Sequence, residues 1–367
     1  RGGGSTVCVI SCDNVSCVGD RLRVLVSDSA AVLALPESLG KQFAAWFRGY
    51  CFMPNTMVDR ITGQVEGDPT IPRCEPLPEK ALVIDGFGAS PEASQLLDSL
   101  IGAPGVVIRR EKGQLGKDLA IKLRVANAVH TAMVYVMALS GLAVTARLGE
   151  LPGLQEYLSA LFNDDILPSL VREGVSQDDT VRFNEEWMGR LKLPLDHSTF
   201  FVSQNAVVKV GERLLPTIRS NKGEGSRAMA LALAFILRFL TPLEETSAFP
   251  EEASALPEGT YAGRADAPAG PEGGEYTPGL RLFPSGLYTF RSPTPPKADG
   301  TVPEALQGVL GDGAKASATE AAIKALERIP GLKEAATPKL LHDASVLYAE
   351  MVKAPAAKAL KTFTGTP

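Results

Sequence analysis

A lysine, an asparagine and a histidine lie five and three residues apart inside an apolar run. The stretch 122–130 reads KLRVANAVH and continues as TAMVYVMALSGLAV. On an α-helix Asn127 and His130 are neighbours on one face, and Lys122 lies two turns earlier, about 80° around the axis from His130. Their three polar ends could therefore converge on one cleft. Taken one at a time, they are equally consistent with a surface lysine, a capping asparagine and a core histidine.

The chemistry of such a trio would be proton transfer with stabilisation of an oxyanion. A lysine acts as a base near neutral pH only if burial among apolar groups or a neighbouring cation lowers its pKa. Lys122 lies in apolar sequence, and Lys209 is a candidate for the neighbouring cation. Donors such as Asn127 and His130 favour a negatively charged oxygen over a neutral one. This chemistry needs no metal, in agreement with a sequence that contains only three histidines.

Composition limits the classes of protein that fit. The chain has 367 residues, 45% of them hydrophobic, which is enough for a sizeable core and two or three domains. The net charge is -5 and there is no basic tract with interleaved aromatics, so we expect no nucleic-acid partner. No uninterrupted apolar run reaches the ~18–20 residues of a membrane helix. The strongest candidate, AMALALAFILRFLT, contains Arg238 and predicts a buried helix.

The cysteines and the first residues bear on the cellular compartment. The spacing of Cys8, Cys12 and Cys17 could suggest a metal site, but no CxxC pair occurs and no histidine lies among them. Free thiols in a reducing compartment are the favoured interpretation, and we expect a cytoplasmic protein. No signal peptide is visible in the opening RGGGSTVCVI, which begins without a methionine.

The first third of the chain has a mixed α/β pattern. Strand-like runs occur in STVCVISCDNV, CFMPNTMVDRIT and KALVIDGFG, and a helical pattern in GDRLRVLVSDSAAVLAL ends at Pro36. The segment IDGFGAS contains Gly86 and Gly88 after a strand but lacks the third glycine of a dinucleotide fingerprint. It therefore predicts a turn.

From Gln114 to Leu240 nearly all of the sequence has helical periodicity, with Ser176 as a start signal and Gly141 as a stop signal. Residues 242–313 are rich in Pro, Gly, Glu and Ala and predict a flexible insertion. Two further helical patterns follow, ATEAAIKALERI and LLHDASVLYAEMVKAPAAKAL. We predict two domains, 1–113 and 114–367.

Four stretches in order along the chain carry a resemblance to a known family. They are SCDN (11–14), PNTMVDRIT (54–62), KLRVANAVH (122–130) and KVGERLLPTIR (209–219). Together they resemble the polyol-specific long-chain dehydrogenases of the mannitol dehydrogenase family, which share the pattern lysine, four residues, asparagine, two residues, histidine. The resemblance implies that 1–113 is the end of a Rossmann-type domain. It implies that 114–367 is a mostly helical C-terminal domain like that of 6-phosphogluconate dehydrogenase.

The resemblance also implies an activity. The family transfers a hydride, without a metal, between NAD or NADP and a polyol or aldonate, forming a ketose or keto-acid. Lys122 matches the base that takes the proton from the alcohol. Asn127 and His130 match the pair that holds the substrate oxygen as charge develops on it.

The binding residues follow in the same way. Asn14 and Asp59 match residues that line the nicotinamide and the polyol, and Val58 joins Asn14 as a cofactor contact. Lys209 matches a substrate-binding lysine. The partners implied are small polyols, ketoses or sugar acids, and we expect all of these residues to border one cleft.

Two departures distinguish this chain from the mannitol enzymes. Ala128 follows the asparagine where the family usually has glycine, and Phe201 stands eight residues before Lys209 where the mannitol enzymes have arginine. A missing guanidinium removes a bidentate hold on substrate oxygens. The NAVHT pattern resembles the uronate-reducing branch. His197 either compensates for the arginine or is a solvated loop histidine.

A cofactor domain precedes the SCDN stretch in this family, whereas this sequence begins a few residues before it. The sequence is then a fragment, an incomplete gene, or a chain whose cofactor domain another chain supplies. We expect the 367 residues alone to bind nicotinamide cofactor weakly or not at all. The competing hypothesis is a catalytically silent helical module for binding or assembly.

Overall fold

The computed structural model describes residues 5–32, 36–65, 68–142, 144–193, 199–203, 205–241, 280–282, 288–290, 301–306, 309 and 317–365. Its contacts divide the chain into two compact units, Arg1–Lys122 and Leu123–Pro367. The first unit contains strands and helices, and the second is mostly helical, which is the fold class predicted from the sequence. The domain boundary that we predicted lies earlier, after residue 113.

Where the structure describes the first unit, it consists of short strands and four helices. The strands are β1 (Val7–Cys8), β2 (Cys51–Phe52), β3 (Thr56–Val58), β4 (Thr62–Val65), β5 (Asp68–Cys74), β6 (Leu82–Asp85) and β7 (Val106–Arg109). The helices are α1 (Val18–Val32), α2 (Glu37–Tyr50), α3 (Pro91–Asp98) and α4 (Gln114–Ile121).

The central sheet of this unit supports α4. β3 pairs antiparallel with β6, and β6 pairs parallel with β7. A core of Met57, Val83 and Leu115 joins β3 and β6 to α4, with Val107 and Leu119 packed against it. β1 and β2 form a separate parallel pair, and β4 and β5 form an antiparallel hairpin. The sheet and its core therefore fix where α4 ends, one residue before Lys122.

The segment after β6 is a turn followed by a helix. The amide of Ala89 donates to the Gly86 carbonyl at 3.3 Å, and Gly88 has φ +74°, so the predicted turn is confirmed. The helix α3 was not predicted from the sequence. Its start signals were present, because the Ser90 side chain accepts from the Ala93 amide and Pro91 occupies the first turn.

The second unit contains the remaining helices. The α-helices are α5 (Ala128–Leu139), α6 (Leu154–Ala160), α7 (Leu167–Arg172), α8 (Gln177–Arg190), α9 (Thr199–Ser203), α10 (Ala206–Lys209), α11 (Leu215–Ser220), α12 (Arg227–Leu240), α13 (Thr301–Ala305), α14 (Ala318–Glu327), α15 (Leu332–Ala335), α16 (Pro338–Val352) and α17 (Ala356–Thr364). A 3₁₀ turn covers Thr145–Glu150, and π-helical segments cover Lys122–Asn127, Leu161–Ile166 and Val210–Leu214.

Two helices that are apolar almost all round form the centre of this unit. α5 and α12 are buried along nearly their whole lengths, and the rings of Tyr135 and Phe239 meet edge to face at 5.1 Å. Arg238 in α12 is 1% exposed, so the prediction of a buried helix is confirmed. Across the ranges that the structure describes, no helix combines the length and the apolar character needed to cross a membrane.

Local signals place several helix ends. The Ser176 side chain accepts from the Asp179 amide at 3.2 Å, and Gly141 takes φ +76° after α5, as predicted. Of the predicted insertion 242–313, the structure describes a strand pair, β8 (Leu280–Leu282) with β9 (Tyr288–Phe290), the helix α13, and residues 306 and 309. The rest of that prediction lies outside the described residues. All five cysteines are free thiols.

Candidate active site

Lys122 lies at the centre of a cluster of polar groups in the first unit. Its Nζ donates to Oδ1 of Asn14 at 2.6 Å and to the carbonyl oxygen of Val58 at 2.6 Å. These partners are 108 and 64 residues away along the chain, and Lys122 is only 5% exposed. The structure thus brings together the predicted base and both residues that we predicted to contact the cofactor.

Further hydrogen bonds hold these oxygen acceptors in place. Thr56 Oγ1 donates to the Ser11 carbonyl at 2.7 Å, which joins the SCDN loop to β3. Asn55 and Asp20 exchange two bonds, the Asp20 amide to Asn55 Oδ1 at 3.1 Å and Asn55 Nδ2 to Asp20 Oδ2 at 2.8 Å. Two of the quoted stretches are therefore cross-linked to each other beside the lysine.

A close backbone approach also requires glycine at the start of α1. A Cβ atom on Gly19 would lie 2.4 Å from the carbonyl oxygen of Pro54. Only glycine allows the start of α1 to approach the PNTMVDRIT stretch this closely. This close approach stabilises the segment that leads into β3, which ends at Val58.

Asp59 follows Val58 directly and is 6% exposed. Its amide donates to the Ala81 carbonyl at 3.0 Å, so its backbone is fixed beside the central sheet. The structure therefore places the predicted substrate carboxylate in the same unit as Lys122. Its contact with a substrate stays a prediction.

A buried ion triad anchors α4 to β7. Asp118 accepts from Arg109 Nε at 2.7 Å and Nη2 at 2.9 Å, and from Lys80 Nζ at 2.9 Å. Burial raises the pKa of the Asp118 carboxyl, but the bonds and charges of Arg109 and Lys80 outweigh burial and lower the pKa below its usual value. The ionised Asp118 holds α4 one turn before Lys122. This triad was not predicted, and its third member, Lys80, lies 38 residues before Asp118 in the chain.

The second unit holds Asn127 and His130. Arg213 Nη1 donates to the Thr131 hydroxyl at 2.8 Å and to the Asn127 carbonyl at 3.4 Å. The His130 ring meets the Trp187 ring edge to face, with centroids 5.8 Å apart. The 209–219 stretch therefore contacts the 122–130 stretch through Arg213.

Lys209 is a buried cation of this second cluster, and its pKa is lowered. Its Nζ donates to the Val202 carbonyl. Burial and then the charge of Arg213 lower the pKa of Lys209 to about 7, and burial also lowers the pKa of Arg213. Arg213 was not predicted as a site residue. Its position four residues after Lys209, directly before the apolar LLPTI run, was the available signal.

The helix that carries the trio is not α-helical throughout. Residues Lys122–Asn127 form a π-helical segment, in which hydrogen bonds run from i to i+5 and each residue advances less around the axis. The α-helical angle that we predicted between Lys122 and His130 is therefore wrong. The helical character of the stretch itself is confirmed.

The predicted residues thus form two clusters. The first unit holds Asn14, Val58, Asp59 and Lys122, and the second holds Asn127, His130 and Lys209. Their convergence on one cleft stays a prediction. His197 lies outside the described residues, and Phe201 is described only as part of α9. Within the described ranges, no group of three or more His, Cys, Asp or Glu side chains could hold a metal ion.

The chain is similar in sequence to known oxidoreductases. No protein-family model matches the chain. The Escherichia coli D-mannonate oxidoreductase is 27% identical over 256 residues, 65% of this chain and 48% of that protein. The Escherichia coli uncharacterized oxidoreductase YeiQ is 25% identical over 253 residues, 65% of this chain and 48% of that protein. The chain spans about half the length of these relatives.

The fold has a solved counterpart. The ternary complex of Pseudomonas fluorescens mannitol 2-dehydrogenase with NAD and D-mannitol matches with a TM-score of 0.61 at 17% identity, over 99% of this chain and 63% of that one. The chain therefore shares the fold of this dehydrogenase. Its sequence and its fold are both similar to those of proteins of the mannitol dehydrogenase family.

Proposed function

We propose that this protein is an oxidoreductase that interconverts a secondary alcohol of a polyol or aldonate with the corresponding ketone, using NAD or NADP. The observation that carries the proposal is the position of the Lys122 Nζ between Asn14 Oδ1 and the Val58 carbonyl. The names of the relatives, which include oxidoreductases of D-mannonate and altronate, support the same class of reaction.

The residues beside Lys122 fit a nicotinamide ring. Asn14 is exposed, and its Oδ1 is occupied by Lys122. Its Nδ2 group can donate to the carboxamide oxygen of a nicotinamide. Asn14 and Val58 would hold that ring, and the bound cofactor would accept or supply the hydride.

Lys122 would perform the proton transfer. In the oxidative direction neutral Nζ takes the hydroxyl proton and becomes an ammonium, while the hydride leaves the carbinol carbon. The two oxygen acceptors stabilise the ammonium and fix the direction in which Nζ points. In the reductive direction the ammonium returns that proton to the ketone oxygen.

Asn127 and His130 would stabilise the oxygen while it carries negative charge. Preorganised donors act more strongly on a developing alkoxide than on the alcohol, so they lower the barrier. Arg213 supports this role, because it holds the Asn127 carbonyl and the Thr131 hydroxyl on the same helix.

The test is a substrate panel on the longest natural form of the protein that contains this chain, with NAD and NADP and with polyols, aldonates and their ketones. Lys122→Ala should lower kcat about 100- to 10,000-fold, because general-base catalysis has that magnitude. The dissociation constant of the cofactor should stay within about threefold, since Lys122 acts on the substrate proton.

The matched control is Lys117→Ala, which removes an exposed lysine from the same helix. Its rate should equal that of the wild type. Full activity of the Lys122→Ala variant would refute the assigned base. A wild-type protein that binds the cofactor and turns over none of the panel would favour the silent helical module.

A further inference from the structure

We infer that Arg213, together with Lys209, binds the carboxylate of a sugar acid, so that the substrate is an aldonate or its keto-acid and not a neutral polyol. This inference rests on the proposed function and specifies the substrate class of the same site. The observation behind it is that Nη1 of the Arg213 guanidinium donates hydrogen bonds to the protein, whereas Nε on the opposite edge does not.

Only one edge of Arg213 is used within the described part of the chain. Nη1 donates to Thr131 Oγ1 at 2.8 Å and to the Asn127 carbonyl at 3.4 Å. Nε is buried and has no hydrogen-bond partner. A buried donor without an acceptor is costly, and an anion on the Nε–Nη2 edge would supply the acceptor.

Two other arginines show what this edge binds. Arg109 holds Asp118 through Nε at 2.7 Å and Nη2 at 2.9 Å. Arg147 holds Glu150 through Nε at 2.7 Å and Nη2 at 2.6 Å. The planar fork matches the two oxygens of a carboxylate, which a neutral polyol lacks.

Two cations, Lys209 and Arg213, lie close together here, and the adjacent Glu212 acts on Arg213 through its charge without forming an ion pair within the described residues. Lys209 and Arg213 are four residues apart on consecutive helical segments, and no carboxylate forms an ion pair with either among the described residues. Like charges at this spacing destabilise a helix, and burial increases the cost. A ligand carboxylate would offset both costs.

The position of the edge suits a sugar acid. The same guanidinium that would hold the carboxylate contacts the carbonyl of Asn127, whose side chain we assign to the reacting oxygen. A sugar acid carries its carboxylate and its secondary hydroxyls within one short chain. One molecule can therefore contact Arg213 at one end and Asn127 at the other.

The experiment compares D-mannonate and D-altronate with D-mannitol, which has a hydroxymethyl group where mannonate has its carboxylate. Binding is measured by calorimetry and turnover by kinetics, on the wild type, Arg213→Met and Arg213→Lys. Arg213→Met should weaken aldonate binding and raise its KM about 10- to 100-fold, the effect of losing a charged hydrogen-bonded pair. For aldonate, Arg213→Lys should have a dissociation constant and a KM between those of the wild type and Arg213→Met. This variant keeps the positive charge but loses the two parallel N–H donors of the guanidinium.

The dissociation constant and KM of D-mannitol should change less than about threefold in both variants. Any loss of kcat should be shared by aldonate and mannitol, because Arg213 also holds the Asn127 carbonyl. Arg227→Met, which removes an exposed arginine from the start of α12, should match the wild type for every ligand. Circular dichroism confirms that each variant folds.

The outcomes separate this inference from the proposed function. Wild-type turnover together with equal changes of kcat, KM and dissociation constant for aldonate and mannitol in Arg213→Met would assign Arg213 only to positioning Asn127 and would overturn the inference alone. Aldonate binding that Arg213→Met leaves unchanged would overturn it as well, as would a wild type that binds neither aldonate. Aldonate binding that depends on Arg213 without any turnover would support the inference and refute the proposed activity.

Discussion

Replacing Lys209 by methionine should stabilise the protein at low pH and lose that advantage as the pH rises. Burial and the charge of Arg213 lower the pKa of Lys209 from 10.5 to about 7 in the folded state. The unfolded chain returns this lysine to water and to its ordinary pKa. Below pH 7 both states are protonated, so the folded state bears the full cost of a buried ammonium. Between pH 7 and 10.5 the unfolded state binds more protons, so stability rises with pH.

The size of the effect follows from the two pKa values. Each pKa unit corresponds to about 1.4 kcal/mol, so the fall from 10.5 to about 7 sets a limit of about 5 kcal/mol. Partial access of water to Lys209 reduces this to about 2–4 kcal/mol at pH 6. The variant also leaves the Val202 carbonyl without its donor, at a cost of about 1 kcal/mol at every pH. Lys209→Met should therefore be more stable than the wild type by about 1–3 kcal/mol at pH 6 and slightly less stable at pH 10.

Urea unfolding at pH 6, 8 and 10 measures this difference. The chain has two tryptophans, and Trp187 is buried in the second unit. Replacing Trp46 by phenylalanine in every variant makes the fluorescence report that unit alone. Lys358→Met removes an exposed lysine from α17 and is the control.

At each pH the free energy of unfolding of the variant is compared with that of the wild type. Groups that titrate equally in both proteins therefore do not affect the difference. A stability difference between wild type and Lys209→Met that does not change from pH 6 to pH 10 would refute the lowered pKa. A gain that the Lys358→Met control shows equally would mean that net charge, and not burial, is the cause.

Two further predictions concern the residues around Lys122. Asn14→Asp should lower kcat about tenfold at pH 7, because a carboxylate 2.6 Å from the Lys122 Nζ favours the ammonium form of the lysine. The activity of this variant should recover at higher pH. A pH profile with the wild-type midpoint would contradict this prediction. Arg124→Met should lower the free energy of unfolding, measured in urea, by about 2 kcal/mol. Arg124 is 8% exposed and donates two hydrogen bonds to Glu173, at 2.8 and 2.7 Å. A loss below about 0.5 kcal/mol would show that this pair does not stabilise the fold.

Periodicity and local signals predicted much of the fold, because they act over a few residues. The helical pattern from Gln114 onward, the cap at Ser176 and the stop at Gly141 are all present. The helix α3 was missed although Ser90 and Pro91 begin it, because the segment before it was judged only as a possible dinucleotide turn. The π-helical segments do not follow from apolar spacing, which fits either helix over so few residues.

The sequence alone indicated a resemblance to the mannitol dehydrogenase family, through four ordered motifs, and the residues that we propose for hydride transfer. The groups that those residues contact depend on the folded chain. Lys122 meets the carbonyl of Val58, and a backbone oxygen has no sequence signature. Burial beside Arg213 likewise lowers the pKa of Lys209, since the electrostatic environment of a charge depends on groups that the fold brings around it.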